Sequence, residues 1–447
     1  MSAAPPDLDG LAAGVLDRLP AGVEGHVVAS HVTQGLTRFA NSHVHQNVTD
    51  RTTSVDLRVL VDGRPASSST TRITDDGLAA VVRDAVELAR ISPVDDDHPG
   101  FAPPHEVPAP RAHDVSTRDA TPADRAELVR DFVGVSGAGN AAGFCETVTL
   151  SAAHANTLGH RAHAASTRAS LDGIHRSGAV SGSGHQTSRA LADIDGTAVG
   201  REAARLLAAS RRPIDLPPER LPIVLGPEAT ATLAVFLGLY GFNAKAVAEG
   251  RSFVRVGESQ FDPAFRLRDD PTDPRACGTL VDAEGVARGS LVLVEDGRSV
   301  ALAHDRRTAA AAGTTSTGHH VPGSDTMGPV PTDLVVSGGD TAPTDLIADL
   351  ERGLLVTSFN YCRVLDPRTV VVTGLTRNGT FLVEDGEITH AVGNLRFTQS
   401  FVDAVGPGAV LGVGDDDRHA NSEFAPGMVI APSLHLASWN MTGGADG

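Results

Sequence analysis

The sequence predicts an α+β fold: an N-terminal α/β sandwich-type domain followed by a β-rich C-terminal domain. Three observations predict it. Alternating, strand-like patterns dominate residues 23–72. Amphipathic helical spacing then appears at 78–89, near 122–132 and near 193–208. Beyond residue 241, short β-branched runs are separated by turn dipeptides. With 447 residues and roughly 100–200 residues per domain, two or three domains are expected. Apolar residues at 41% suffice for sizeable cores.

Val23, His26, Val28, Ser30 and Val32 mark a first strand, and Arg38 to Val48 a second. Val55 to Val61 alternates cleanly and ends in Asp62-Gly63, a type I′ hairpin signal. Ser67 to Arg72 reads as the returning strand. Asp75 or Asp76 is expected to cap a helix that buries Leu78, Val81, Val82, Ala85, Leu88 and Ala89. Six prolines and three consecutive aspartates within Ser92 to Pro110 predict a surface linker or extended wrap, the irregular stretch running over about 92–120. Thr121-Pro122 supplies an N-cap and a proline at the first helical position, with Leu128, Val129 and Phe132 inward. Strands are expected at Cys145–Ala153, Arg161–Ser170 and Gly178–Thr187. A helix should then run from about Asp193 to Ala208, with Ala198, Ala203, Ala204, Leu206 and Leu207 inward.

The proline-rich run Arg211 to Pro218 places the domain boundary, giving 1–215 and 216–447. Leu221 to Leu225 starts the second unit, followed by Gly226-Pro227 and a helix carrying Ala229, Leu233, Phe236, Leu237 and Tyr240. Ser290–Val294 and Val300–Ala303, flanking Asp296-Gly297, predict a hairpin. Thr369–Thr373 and Thr380–Val383, with turns at Asn378-Gly379 and Asp385-Gly386, predict a meander. A helix is expected near Thr344 to Glu351.

Asp and Glu total 55 against 37 Lys and Arg, a formal charge of −18. That balance disfavours non-specific binding to phosphate backbones, so no nucleic-acid partner is expected. No apolar window is long enough for a membrane span, and the acidic, proline-bearing start does not read as a secretory signal. The three cysteines, Cys145, Cys277 and Cys362, are scattered and form no CxxC. They argue for a cytoplasmic, reducing setting.

The common catalytic motifs are absent. His105-Glu106 is followed by Val-Pro-Ala-Pro, which cannot be helical, so it is not a metalloprotease motif. Gly182-Ser183-Gly184 and Gly134-Val135-Ser136-Gly137 read as glycine–serine loops, not hydrolase elbows. Eighteen histidines remain as a resource. His43 and His45 share a strand face. His304 follows a strand, and His319 sits in a loop rich in Gly, Thr and His. Either is a candidate for catalysis or, together, for one divalent metal. Cys362 is a candidate nucleophile or a small buried hydrophobe. Lys245, the one lysine beside 36 arginines, faces a ligand or pairs with Glu249 at i,i+4.

A resemblance then emerges along most of the chain. Arg38-Phe-Ala-Asn41, His45-Gln-Asn47, Gly353-Leu-Leu-Val-Thr357, Val364-Leu-Asp-Pro367, Thr373 through Glu387, Asn394 through Ser400, Pro432-Ser-Leu434 and Asn440-Met-Thr-Gly443 together resemble the TldD/PmbA family. The resemblance implies a dimer enclosing a proteolytic cavity that admits small or unfolded peptides. It implies in TldD-type subunits an HExxxH helix and a later Cys as metal ligands, and in PmbA/TldE-type subunits their absence. Here the motif slot, Val235 to Tyr240, reads Val-Phe-Leu-Gly-Leu-Tyr, and Asp417 to Glu423 holds no Cys. The chain is thus similar to the non-metal members, with no metal expected at the family site. The partners implied are a second copy or a TldD-type HExxxH subunit. Arg38, His45, Lys245, Arg251 and Arg377 are the candidates for holding the peptide.

Overall fold

The computed structural model describes residues 6–135, 139–424 and 426–444. The first half runs α1 (Leu8–Leu16), β1 (Glu24–Ala40), β2 (His43–Val61), β3 (Arg64–Thr70), α2 (Asp75–Ile91), α3 (Val115–Arg118), α4 (Pro122–Val133), β4 (Asn140–Asn156), β5 (Arg161–Ser177), β6 (Val180–Ser188) and α5 (Gly196–Ala209). Its strands form one antiparallel sheet in the order β3-β2-β1-β4-β5-β6.

Residues 23–61 form two long strands where three were expected. The segment Arg38 to Val48 is not a strand of its own. It turns at Asn41 and Ser42, whose φ values of +50° and +62° match the type I′ hairpin pattern. Short polar side chains tolerate that left-handed conformation. Asp62-Gly63 turns as expected, with φ +49° and +70°.

Thr74, not Asp75 or Asp76, caps α2, its hydroxyl accepting from the Gly77 N–H. In the same helix Val86 is buried and Leu88 is exposed. Thr121 caps α4 as predicted, with Asp124 completing a capping box. The helices cover one sheet face. Val27, Ala29, Val55 and Leu57 lie beneath α1 and α2, and Phe39, Cys145, Ala169 and Leu171 beneath α4 and α5. Arg125 enters that layer almost fully buried, satisfied by the hydroxyls of Thr37 and Thr147 at 3.3 and 3.2 Å.

Gly182-Ser183-Gly184 is strand, not loop. A Cβ on Gly184 would stand 2.1 Å from the Val199 carbonyl oxygen, and one on Gly182 2.2 Å from that of Ala203. The glycines therefore let α5 lie directly on β6. In α5 itself Ala198 is exposed, and Val199 takes its inward place. Of Gly134 to Gly137, Gly134 caps α4, whereas Ser136 and Gly137 lie outside the described residues.

The proline-rich segment is an extended wrap. Phe101 and Ala102 are buried, and Arg306 donates to the carbonyls of Pro99 and Phe101 at 3.1 Å. Val107 packs with Val28, Ala152 and Val281 on the sheet face opposite the helices.

The second half continues with β7 (Glu219–Leu225), α6 (Pro227–Tyr240), α7 (Ala244–Ala248), β8 (Leu267–Asp269), β9 (Leu291–Glu295), β10 (Arg298–Ser299), α8 (Arg306–Ala312), α9 (Ser324–Met327), β11 (Leu334–Val336), α10 (Pro343–Ala348), β12 (Arg352–Asp366), β13 (Val371–Glu384), β14 (Glu387–Ala391), β15 (Leu395–Ser400), α11 (Phe401–Ala404), β16 (Val410–Val413), β17 (Arg418–His419), β18 (Val429–Ala431) and β19 (Leu434–Gly444). One sheet runs β10-β9-β8-β11-β18-β17. The other closes on itself: β12-β7-β19-β15-β13, with β13 pairing back to β12. Closure leaves no free edge within that ring. Trp439, Phe397, Phe401 and Phe359 fill it with near-contacting rings. Asn378-Gly379 is a bulge inside β13 rather than the expected turn. Its φ values of +58° and +152° coincide with the register shift against β12. Asp385-Gly386 does turn, with φ +50° and +78°. The expected strand Val300–Ala303 is not regular strand. The returning strand is only Arg298–Ser299.

α6 is buried at Pro227 and from Ala229 through Gly238, with Glu228 in its first turn left partly exposed, so most of its surface is that of a helix in the core of a larger unit. Among the described residues no helix is long and apolar enough to cross a membrane.

Candidate functional site

A cavity of about 1600 Å³ lies where the first sheet meets the closed barrel. One wall is β6, from Ser183 to Ser188, with α5 behind it. The facing wall comes from Thr357 to Tyr361 of β12, the bulge at Arg377 and Asn378, the start of α6, and the segment from Asp416 to Glu423. Ser181 Oγ donates to Asn378 Oδ1 at 2.8 Å, tying the two walls at one end. β6 is the last strand of its sheet, so its outer backbone edge borders the cavity.

The wall polar groups are held in place. Glu228, in the first turn of α6, pairs with Arg418 at 2.8 Å. Arg275 pairs with Asp417 at 2.8 Å and with Asp273 at 3.1 Å. His419 is buried, and its Nε2 donates to the Arg275 carbonyl at 2.9 Å. Burial lowers its pKa, with the nearby His185 adding to the effect. Asp172 accepts from the Asn421 amide and lies 3.4 Å from His185 Nδ1.

Of the residues singled out in the sequence, Arg377 lines this cavity. Arg38 and His45 lie at the exposed end of the β1–β2 hairpin. Arg251 pairs with Glu249. Lys245 does not pair with Glu249. Its Nζ donates to the carbonyls of Asp325 and Thr326 at 2.7 and 3.0 Å, so it pins a loop. Cys362 is buried beside Glu423, which accepts from the Cys362 N–H at 2.7 Å. Burial raises its thiol pKa, which does not suit a thiolate nucleophile. His105 stacks on His160 with centroids 4.3 Å apart.

His304 and His319 are brought together, but away from the cavity. The Thr317 hydroxyl lies 2.8 Å from both the His304 N–H and His319 Nδ1. His319 Nε2 is 2.9 Å from Asp269, so both its ring nitrogens are engaged by protein. Arg288 completes the buried cluster, 2.8 Å from Asp269 and 2.9 Å from Asp333. Burial alone would raise the Asp269 pKa, but the Arg288 guanidinium and His319 hold it well below the usual carboxylate range. This is a buried structural ion network in which the two terminal nitrogens of Arg288 each meet a carboxylate, while its Nε has no partner among the described residues. A smaller cavity of about 320 Å³ lies nearby, lined by His26, Arg58, Glu284, Asp305 and His320.

Among the cavity-lining residues that sequence does not single out are Asp172, His185, His419 and Asn421. They lie far apart in the chain and share no spacing motif. The available hints are the polar strand near Gly178 to Thr187 and the segment Asp417 to Glu423, which the family resemblance brings forward for its missing Cys.

Comparison with known proteins matches the PmbA/TldA metallopeptidase C-terminal domain over residues 218–443 and the family's domain 1 over residues 27–89. The chain belongs to the TldD/PmbA family. It is 28% identical over 231 residues to a metalloprotease of Methanothermobacter thermautotrophicus, a match covering 49% of each chain. It is 29% identical over 208 residues to a metalloprotease TldD homolog of Haemophilus influenzae, covering 45% of this chain and 42% of that one. The chain thus matches about half the length of these curated relatives. Across nearly full length it shares the fold of TldE from Thermococcus kodakarensis (TM-score 0.85, 18% identity, 97% and 99% of the two chains). It is also similar in fold to a protein from Thermotoga maritima described as a proposed modulator of a DNA gyrase (TM-score 0.82, 19% identity, 97% and 98%).

The family description implies a divalent metal, and the residues in the motif slot of this TldD/PmbA-family chain do not fit one. Val235, Phe236 and Leu237 are core side chains. Tyr240 stacks on Phe236 at 5.9 Å, and Phe236 also meets Phe401 and Phe424. Zinc needs three nitrogen, sulfur or oxygen donors and an open position. Among the described residues no group of three or more His, Cys, Asp or Glu side chains is arranged to hold an ion.

Proposed function

We propose that this chain is a TldE/PmbA-like, non-metal subunit of a dimeric, cytoplasmic peptidase that acts on small or unfolded peptides. In this reading a TldD-type subunit bearing HExxxH supplies the hydrolytic centre, and this chain shapes the cavity and holds the peptide. The observation that carries it is the pairing of an apolar motif slot with a large cavity bordered by a strand edge. At about 1600 Å³ the cavity exceeds the roughly 300–1,000 Å³ of ordinary small-molecule pockets. A strand edge offers main-chain donors and acceptors that any extended peptide can pair with, whatever its side chains. Arg377 is placed to meet a carbonyl or carboxylate there. Peptide turnover by the chain alone, by a TldD-type subunit from the same organism alone, and by the equimolar mixture tests the proposal. Turnover is expected only, or far faster, in the mixture. Undiminished turnover by this chain alone would overturn it in favour of a homodimeric hydrolase with its own site.

A further inference from the structure

The peptide-binding reading leaves open what the cavity selects. Among the described residues, nine carboxylates line it against five arginines and no lysine. Three of those arginines are already paired: Arg205 with Glu202, Arg275 with Asp417, and Arg418 with Glu228. An excess of wall carboxylates is not itself a site. A second observation localises it.

His419 is 8% exposed and lines the cavity. Its Nε2 faces a carbonyl oxygen, which only accepts, so Nε2 carries the proton. Burial favours the neutral ring. Nδ1 is then a bare lone pair, and it has no partner among the described residues. Beside this wall Asn421 spends its amide N–H on Asp172, leaving its carbonyl oxygen as an acceptor. Asp172 is a carboxylate on β6's neighbour β5, with 27% of its side chain exposed. His185 adjoins Asp172, its Nδ1 at 3.4 Å and without a closer partner among the described residues, and its Nε2 is 3.1 Å from the Thr187 hydroxyl. The surplus capacity at this wall is therefore accepting: a carboxylate, an amide oxygen and an imidazole lone pair. An unmet buried acceptor is costly, and a ligand that donates relieves that cost. Arg275, the cation that faces His419, is held by Asp273 and Asp417 and does not fill the position.

We propose that Asp172, His419 and Asn421 form a subsite for a primary ammonium of the bound peptide. An ammonium offers three donors on one compact charge, which suits three acceptors better than the planar fork of a guanidinium. The N-terminus and a lysine side chain share this chemistry. The proposal rests on the peptide-binding reading and adds to it a preference among peptides.

Fluorescence anisotropy of the full chain, in the assembly in which it purifies, tests it with three labelled octapeptides of one lysine-free parent sequence. The first has a free N-terminus, the second is N-acetylated, and the third is N-acetylated with one lysine introduced. Charge-assisted hydrogen bonds should make the free-amine peptide bind about tenfold or more tighter than its acetylated twin. If the lysine peptide recovers that affinity, side-chain amines are taken too. If it does not, the subsite is for N-termini. Asp172→Asn, which keeps size and shape, should shrink the difference to about twofold, with Asn421→Ala as the second variant should the first misfold. Equal binding of all three peptides overturns the subsite and leaves peptide binding intact. Binding of none overturns the peptide reading, and the subsite with it.

Discussion

At the scale of single residues, burial decides roles that sequence leaves open. His319 and His304 stand in a loop whose composition suggests chemistry, yet His319 is locked between Asp269 and Thr317. Removing the cation of that network would strand two buried carboxylates, so Arg288→Met should destabilise the chain by about 3–5 kcal/mol, measured by urea unfolding. A loss below about 1 kcal/mol would show that the network is not structural. Glu284 offers a pH test. Burial pushes its carboxyl up to about 7 from 4.5, with His320 opposing. The folded state thus favours the protonated form. The stability from this group is present below about 4.5 and lost as pH rises through about 7. Glu284→Gln should therefore gain on the natural chain as pH rises across that window, by on the order of 1–3 kcal/mol. Parallel stability curves for the two proteins would contradict this placement. The thiols of Cys145 and Cys277 are pushed up to about 12 by burial, which places them, with Cys362, among structural cysteines.

At the scale of elements, legibility followed periodicity. The Thr121-Pro122 helix start and the Asp62-Gly63 and Asp385-Gly386 turns were readable because local chemistry alone determines them. Asn378-Gly379 carried the same turn signal, but the strand continues through it because closure of the barrel pairs residues on both sides with β12. Arg38 to Val48 reads as one strand in sequence because the Asn41-Ser42 turn lacks the usual glycine. Gly182 and Gly184 read as loop in sequence because nothing local announces a helix lying on the backbone. Their contacts make a direct prediction. Gly184→Ala should cost about 1–3 kcal/mol, since the new methyl meets the Val199 carbonyl. Ser183→Ala, on the cavity side of the same strand, should stay within about 0.5 kcal/mol. Equal midpoints for the two variants in thermal unfolding would refute the close packing of α5 on β6.

At the scale of the whole molecule, the cavity exists only because the two halves meet. The wall residues Asp172 and His185 come from the first sheet, and His419 and Asn421 from a segment more than two hundred residues later. No spacing rule joins them, so sequence points to the family, to the apolar motif slot and to the segment Asp417 to Glu423, but not to the wall this segment forms opposite β5 and β6. The contrast that sequence supplies comes from the family resemblance, which implies metal ligands in the slot held here by Val235, Phe236 and Tyr240; in the fold Val235 and Phe236 are buried and the partly buried Tyr240 stacks on Phe236. In the proposed assembly this chain completes a peptidase whose metal resides on another subunit. Native mass spectrometry of the purified chain, alone and mixed with a TldD-type subunit from the same organism, tests it most directly. A metal-free species is expected alone, and a complex of the two chains carrying metal only through the HExxxH subunit in the mixture. A stoichiometric metal on this chain alone, or no association in the mixture, would contradict it.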